Sequence, residues 1–172
     1  MVTTTRVRLA DFLLNPDLDE SRLELIDGEV TEKPMPNFGH VRTAGNIIVA
    51  LHRFGIAGPE ARAVIEEDGT SLIPDVVFYR DGEPGDLEYM RNPPHVAIEI
   101  MSPGQTLASM RRKAAMYINF GVESVWIVNL GRREIHILEG GQERVLTPGQ
   151  RLTTPAVPGL DVDIADLLPG KP

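Results

Sequence analysis

The chain has 172 residues, a length that suits one domain able to bury a core without staples. It carries no cysteine, a net charge of −8 and a pI near 5.0. That excludes disulfides and thiolate-bound zinc, and it argues against a simple basic DNA-binding module. No run approaches the ~20 apolar residues of a membrane helix, and Met1 to Arg6 lacks a leader's charged-then-apolar layout. The expectation is a cytoplasmic protein with no membrane partner.

In chain order, Arg8 to Leu14 has a short helical pattern that Asn15-Pro16 ends. Arg22 to Pro34 reads as a hairpin whose two alternating runs meet at the favoured tight turn Asp27-Gly28. Asn37 to Phe54 places Val41, Ala44, Ile47, Ile48 and Leu51 at helical spacing, with Gly55 after its end. Ala61 to Glu66 and Ser71 to Tyr79 read as strands separated by the turn Glu67-Asp68-Gly69. Asp81 to Pro94, rich in glycine and proline, reads as a surface loop.

His95 to Met101 is a short apolar run of the kind expected for a central strand buried on both faces. Leu107 to Phe120 is an amphipathic helix with Gly121 beyond its end. Val122 to Leu130 is a second central strand, and Glu134 to Glu139 its hairpin partner. Pro155 to Leu168 reads as a loop ending in a short amphipathic turn, Ile164 to Leu168. The strand–helix–strand unit from His95 to Leu130 implies parallel neighbours and a right-handed crossover. With hairpins on either side, the fold class is α/β: a mixed sheet flanked by helices in a single domain, 1–172, with an N-terminal hairpin and helix.

Buried carboxylates are costly and need a reason. Glu99 stands between Ile98 and Ile100 in the most apolar strand, where an acid is either paired with a cation or ligating a metal. Asp75 follows Pro74 at the entrance to Val76-Val77-Phe78, and taken alone reads as a turn or cap residue. Glu29 begins the second arm of the hairpin, and taken alone reads as a solvated acid. Lys113 has Met110, Met116 and Tyr117 as its helical neighbours, which sets it near the core-facing edge of its helix. By itself it reads as a snorkelling lysine.

Taken together, the four suit phosphodiester hydrolysis. Mg²⁺ takes hard oxygen ligands, and one or two carboxylates with waters and a phosphate suffice. The metal stabilises charge and acidifies a bound water, and an ammonium nearby supports both. His40, at a helix start near the acids, is either a group that contacts phosphate or assists proton transfer, or a structural histidine. His52, His95 and His136 show no metal-ligand spacing.

The succession Leu23-Glu24-Leu25-Ile26-Asp27-Gly28-Glu29-Val30, His40 and Ile73-Pro74-Asp75-Val76-Val77 forms the first half of a longer pattern. Its second half is Val96-Ala97-Ile98-Glu99-Ile100-Met101-Ser102-Pro103, Lys113 with Tyr117, Gly121 to Val128, and Pro158-Gly159-Leu160. Over about Leu9 to Leu168 this resembles the Uma-type family of the PD-(D/E)XK nuclease superfamily. The resemblance implies a restriction-endonuclease-like fold and a Mg²⁺-dependent endonuclease (Mn²⁺ as the alternative metal) acting on DNA. It also implies Asp75 and Glu99 as metal ligands, with Glu29 as the hairpin-side acid. The superfamily's lysine two residues after the glutamate is Met101 here, and the family's displaced helix lysine matches Lys113. The chain departs from the family at Ser109, where an aspartate is usual, in the weakly charged stretch Gly104 to Met110, and at Val128-Asn129-Leu130.

Three hypotheses follow. The first is a DNA endonuclease using Glu29, Asp75, Glu99 and Lys113, and double-strand cleavage would favour a homodimer. The second is a non-catalytic nuclease-fold protein acting through a partner or as a scaffold. The third is a phosphoesterase acting on RNA or nucleotides.

Overall fold

A computed structural model describes residues 6–16, 22–82 and 88–170. The first element is a short helix, α1 (Leu9–Leu13), that buries Phe12. The hairpin follows as β1 (Leu23–Ile26) and β2 (Glu29–Glu32), with Ile26 opposite Glu29. Asp27 and Gly28 both have positive φ (53° and 77°), which is the backbone a tight turn with matching twist requires. Next comes α2 (Phe38–His52), whose N-cap Asn37 accepts a hydrogen bond from His40 N.

The expected pair of strands resolves into more pieces. β3 (Ile56–Pro59) precedes β4 (Ala63–Ile65) and β5 (Thr70–Leu72), and the run expected as Ser71 to Tyr79 breaks at Ile73-Pro74-Asp75 before β6 (Val76–Tyr79). Pro74 has no N–H to give a ladder, so the chain leaves one sheet there and enters another. Residues 83–87 of the loop expected over Asp81 to Pro94 lie outside the described residues, and among its described residues Met90 forms an isolated bridge with Ala63.

β7 (Val96–Ile100), α3 (Leu107–Phe120) and β8 (Ser124–Asn129) form the crossover unit, with β7 and β8 parallel as the sequence implies. Gly121 ends α3 in the left-handed region at φ 110°, and a Cβ there would stand 3.1 Å from Pro93 Cγ. β9 (Glu134–Glu139) pairs with β8. The C-terminal part departs from expectation. It holds three further strands, β10 (Gln142–Leu146), β11 (Arg151–Thr154) and β12 (Val157–Asp163), before the turn of helix α4 (Ile164–Leu167).

Six strands form the main mixed sheet in the order β10-β9-β8-β7-β6-β3. A second sheet, β2-β1-β5-β4, carries the hairpin, and β11-β12 form a separate pair. One face of the main sheet packs Ile98, Ile100, Trp126 and Ile135 against α2, α4 and β12. The other packs Ala97, Val125 and Ile127 against α3 and, through Ile65 and Leu72, against the smaller sheet. Glu99 alternates onto this second face, between α3 and the hairpin sheet. Among the described residues no helix is long and apolar enough to cross a membrane.

Candidate active site

Strand register brings the first two acids together. Val76 pairs with Ile98 in an antiparallel ladder, so continuing by one residue sets Asp75 opposite Glu99 on the same face. Asp75 Oδ2 accepts a hydrogen bond from Ile100 N at 2.6 Å, which fixes its carboxylate against β7. Both acids are buried, Asp75 to 2% and Glu99 to 3% exposure.

Helix α3 supplies the partners of Glu99. Its buried stripe is Met110, Lys113, Ala114 and Tyr117, one helical face at successive turns. Lys113 Nζ lies 2.7 Å from Glu99 Oε1, and the Tyr117 hydroxyl donates to the same oxygen at 2.6 Å. Magnitudes explain why the acid is tolerated. Burying Ile98 and Ile100 contributes about 1.5–3 kcal/mol each, whereas an unpaired buried carboxylate costs several kcal/mol. The strand keeps its acid because cations meet it.

The hairpin completes the cluster through residues that the local pattern did not single out. Glu24 is buried and bridges Lys113 Nζ at 2.7 Å, while its Oε1 accepts from Ile73 N at 2.7 Å. Lys33, directly after β2, is buried to 5% exposure. Its ammonium lies 2.6 Å from Asp75 Oδ1 and 4.0 Å from Glu99 Oε2, and donates to Ile73 O at 2.6 Å. His40 Nε2 stands 3.0 Å from the same Asp75 Oδ1. Asp75 Oδ1 is thus met by two side-chain nitrogens, Lys33 Nζ and His40 Nε2, while the other ring nitrogen, His40 Nδ1, is buried with no hydrogen-bond partner.

Three of the four residues singled out from sequence therefore meet: Asp75, Glu99 and Lys113. Glu29 does not join them. It is the exposed first residue of β2, paired with Ile26 beside the turn, whereas Glu24 lies further down the hairpin, opposite Thr31. The acid that this hairpin contributes to the buried cluster is Glu24. Glu29 instead lines a cleft of about 580 Å³, together with Glu24, Lys33, Lys113, Arg6 and Arg112. His40, left open between phosphate contact and structural residue, sits against Asp75.

The charges are tuned by these surroundings. Burial raises the Asp75 carboxyl, but His40 and Lys33 outweigh it and hold the group down at about 2. Burial pushes Glu99 up, opposed by Lys113 and Lys33, with a net rise. Burial lowers the Lys113 ammonium, yet Glu99 and Glu24 more than reverse this, and its pKa is raised. Lys113 is thus a fixed cation, unsuited to accept a proton. Burial lifts the Tyr117 hydroxyl well above its ordinary range, so it remains a donor to Glu99.

The Asp75–Glu99 pair has the chemistry of a hard-cation site: two buried carboxylates on neighbouring strands, with Asp75 Oδ1 and Glu99 Oε2 both facing one cation, the Lys33 ammonium. Among the described residues no group of three or more acid or histidine side chains is arranged to enclose a metal. Two carboxylates with waters are nonetheless a sufficient donor set for Mg²⁺.

Residues 9–165 match the family Uma2, described as "Putative restriction endonuclease". The chain belongs to this family. No curated protein matches it significantly. Among solved structures it is similar to one described as a "putative nuclease belonging to DUF820", from Anabaena variabilis ATCC 29413. The two are 22% identical, with a TM-score of 0.81 over 94% of this chain and 97% of that one. At that identity the likeness shows the fold, a restriction-endonuclease-like mixed sheet flanked by helices. Family and fold together are those of nucleases.

Proposed function

We propose that this chain is a divalent-metal-dependent endonuclease that hydrolyses DNA phosphodiester bonds. The observation that carries the reading is the juxtaposition of Asp75, Glu99 and Lys113 beside a cleft of about 580 Å³ that Lys113 lines. Asp75 and Glu99 would hold Mg²⁺ or Mn²⁺. Bound there, the metal would stabilise charge on the phosphate and acidify a water.

The chain's own residues prepare that place. Ile100 N clamps one Asp75 oxygen, leaving the other to Lys33 and His40. Lys113 and Tyr117 grip Glu99 Oε1, which leaves Oε2 as its free donor atom. Lys113 then serves as a fixed positive charge for the phosphate and its attacking water. Glu29, on the cleft wall, acts at the substrate side, so Glu29→Ala weakens cleavage less than Asp75→Ala does. A homodimer would supply the two sites that double-strand cleavage needs, and sedimentation velocity tests it.

Supercoiled and linear DNA incubated with Mg²⁺ or Mn²⁺ provide the test. Cleavage is expected in the native chain, with loss in Asp75→Ala and in Glu99→Ala. Metal-dependent cleavage that survives both substitutions together would sink the assignment. An RNA and nucleotide panel under the same conditions distinguishes the substrate class.

A second reading, a non-catalytic nuclease-fold scaffold, draws support from the ion pairing of both acids with lysines. Titration calorimetry separates the two readings. Absence of Mg²⁺ and Mn²⁺ binding at millimolar concentrations favours the scaffold.

A further inference from the structure

Lys33 has a position that neither metal holding nor substrate contact explains. Its ammonium faces Asp75 Oδ1, which it shares with His40 Nε2, and Glu99 Oε2; Ile100 N, Lys113 and Tyr117 take the other two oxygens. It also lines the cleft, whereas Asp75 and Glu99 do not. Lys33 therefore stands between the carboxylates and the open space.

Its placement is built in. The backbone N–H of Lys33 donates to Arg22 O at 2.8 Å, and its ammonium donates to Ile73 O at the strand break. Pro34 and Pro36 stiffen the chain that follows. The backbone is pinned, so the long side chain is what can move. A lysine stem carries its charge on four rotatable carbons and can swing its ammonium toward water.

We propose that Lys33 is a resident cation plug: its ammonium occupies the divalent-metal position between Asp75 and Glu99, and metal enters by displacing it into the cleft. The proposal rests on the reading of those two acids as the metal pair. It follows from electrostatics at close quarters. Two buried carboxylates facing each other repel unless a cation lies between them, and two cations cannot share one small space. In the metal-free chain Lys33 supplies the neutralising charge. After exchange, the same ammonium points into the cleft, where it can meet a substrate phosphate.

Calorimetric titration of the full chain with MnCl₂, native against Lys33→Met, tests the competition. Methionine keeps the stem's volume and removes the charge, so Mn²⁺ should bind Lys33→Met at least about tenfold more tightly. Equal affinity in the two proteins overturns the plug and leaves the metal site standing. No binding to either overturns both the plug and the metal reading.

Should Lys33→Met fail to fold, the native protein gives an independent readout through amine acetylation followed by mass spectrometry. Lys33 should be protected without metal and label several-fold faster at saturating Mn²⁺, while Lys113 stays protected. Unchanged Lys33 labelling, at a Mn²⁺ concentration where calorimetry shows the site filled, overturns the proposal.

Discussion

Removing Lys113 would leave two buried carboxylates, Glu24 and Glu99, without their shared cation. Breaking a buried pair of this kind costs about 3–5 kcal/mol. Urea unfolding of Lys113→Met should show that loss, and adding Glu99→Gln should recover part of it. Recovery is the sharper result, because a helix damaged by the methionine alone would not respond to the second change. Asp75 yields a pH prediction. Its carboxyl sits at about 2 against an ordinary 3.8, so its contribution is complete above about pH 4. That contribution is lost as pH falls through the folded value, and amounts to about 2 kcal/mol. Unfolding free energies between pH 5 and 2, measured in chelator, should fall more steeply for the native chain than for Asp75→Asn. Parallel curves would contradict this. Asp75, Glu99 and Lys113 could be picked out from sequence because each breaks a local pattern: an acid in an apolar strand, an acid after proline, a cation on a buried helix face. Lys33 and Glu24 break none. Lys33 lies between Glu32 and Pro34 in a polar segment, and its partner Ile73 is 40 residues away. Glu24 is one more acid in an alternating strand. Their roles arise only from tertiary docking, so Glu29, beside the turn, was the more visible acid.

The helix that carries Lys113 is started by a reciprocal cap. Thr106 Oγ1 accepts from Ser109 N at 3.1 Å, and Ser109 Oγ accepts from Thr106 N at 3.2 Å. This gives Ser109, noted as a departure from the family pattern, a local role at the first turn of α3. Thr106→Ala should cost about 1 kcal/mol in denaturant unfolding while leaving Mn²⁺ binding unchanged, because the cap does not touch the acids. The main helices, the hairpin and the parallel β7–β8 pair were legible because their periodicity is strong and their ends carry Asn37, Gly121 and Asp27-Gly28. The strands that escaped notice were short or irregular. β3 contains Gly58 and Pro59, which suit only a sheet edge, and β12 contains Pro158-Gly159. β10 is mostly exposed and polar, so it has no apolar alternation to read.

Across the whole molecule, a net charge of −8 repels a polyanion at long range. The cleft answers it only locally, because Arg6, Lys33, Arg112 and Lys113 line it together with Glu24, Asp27, Glu29 and Glu32. Four cations bound the counterions that DNA binding can release, so log K against log salt should have a slope no steeper than about −4. Gel-shift titrations in Ca²⁺ at several salt concentrations measure it, and a markedly steeper slope would place the DNA on another surface. The separation of the hairpin sheet from the main sheet also orders the assembly of the cluster. The Tyr117–Glu99 contact spans 18 residues, whereas the Glu24 bond to Ile73 N spans 49. Loop closure makes the longer contact dearer by about 1 kcal/mol of chain entropy. The crossover half of the cluster can therefore form early, with the hairpin docking onto it later. Reversing that order, the Ile73 amide should exchange its hydrogen sooner than the Ile100 amide. Each opening of the hairpin would briefly uncover acids that the closed fold keeps from water.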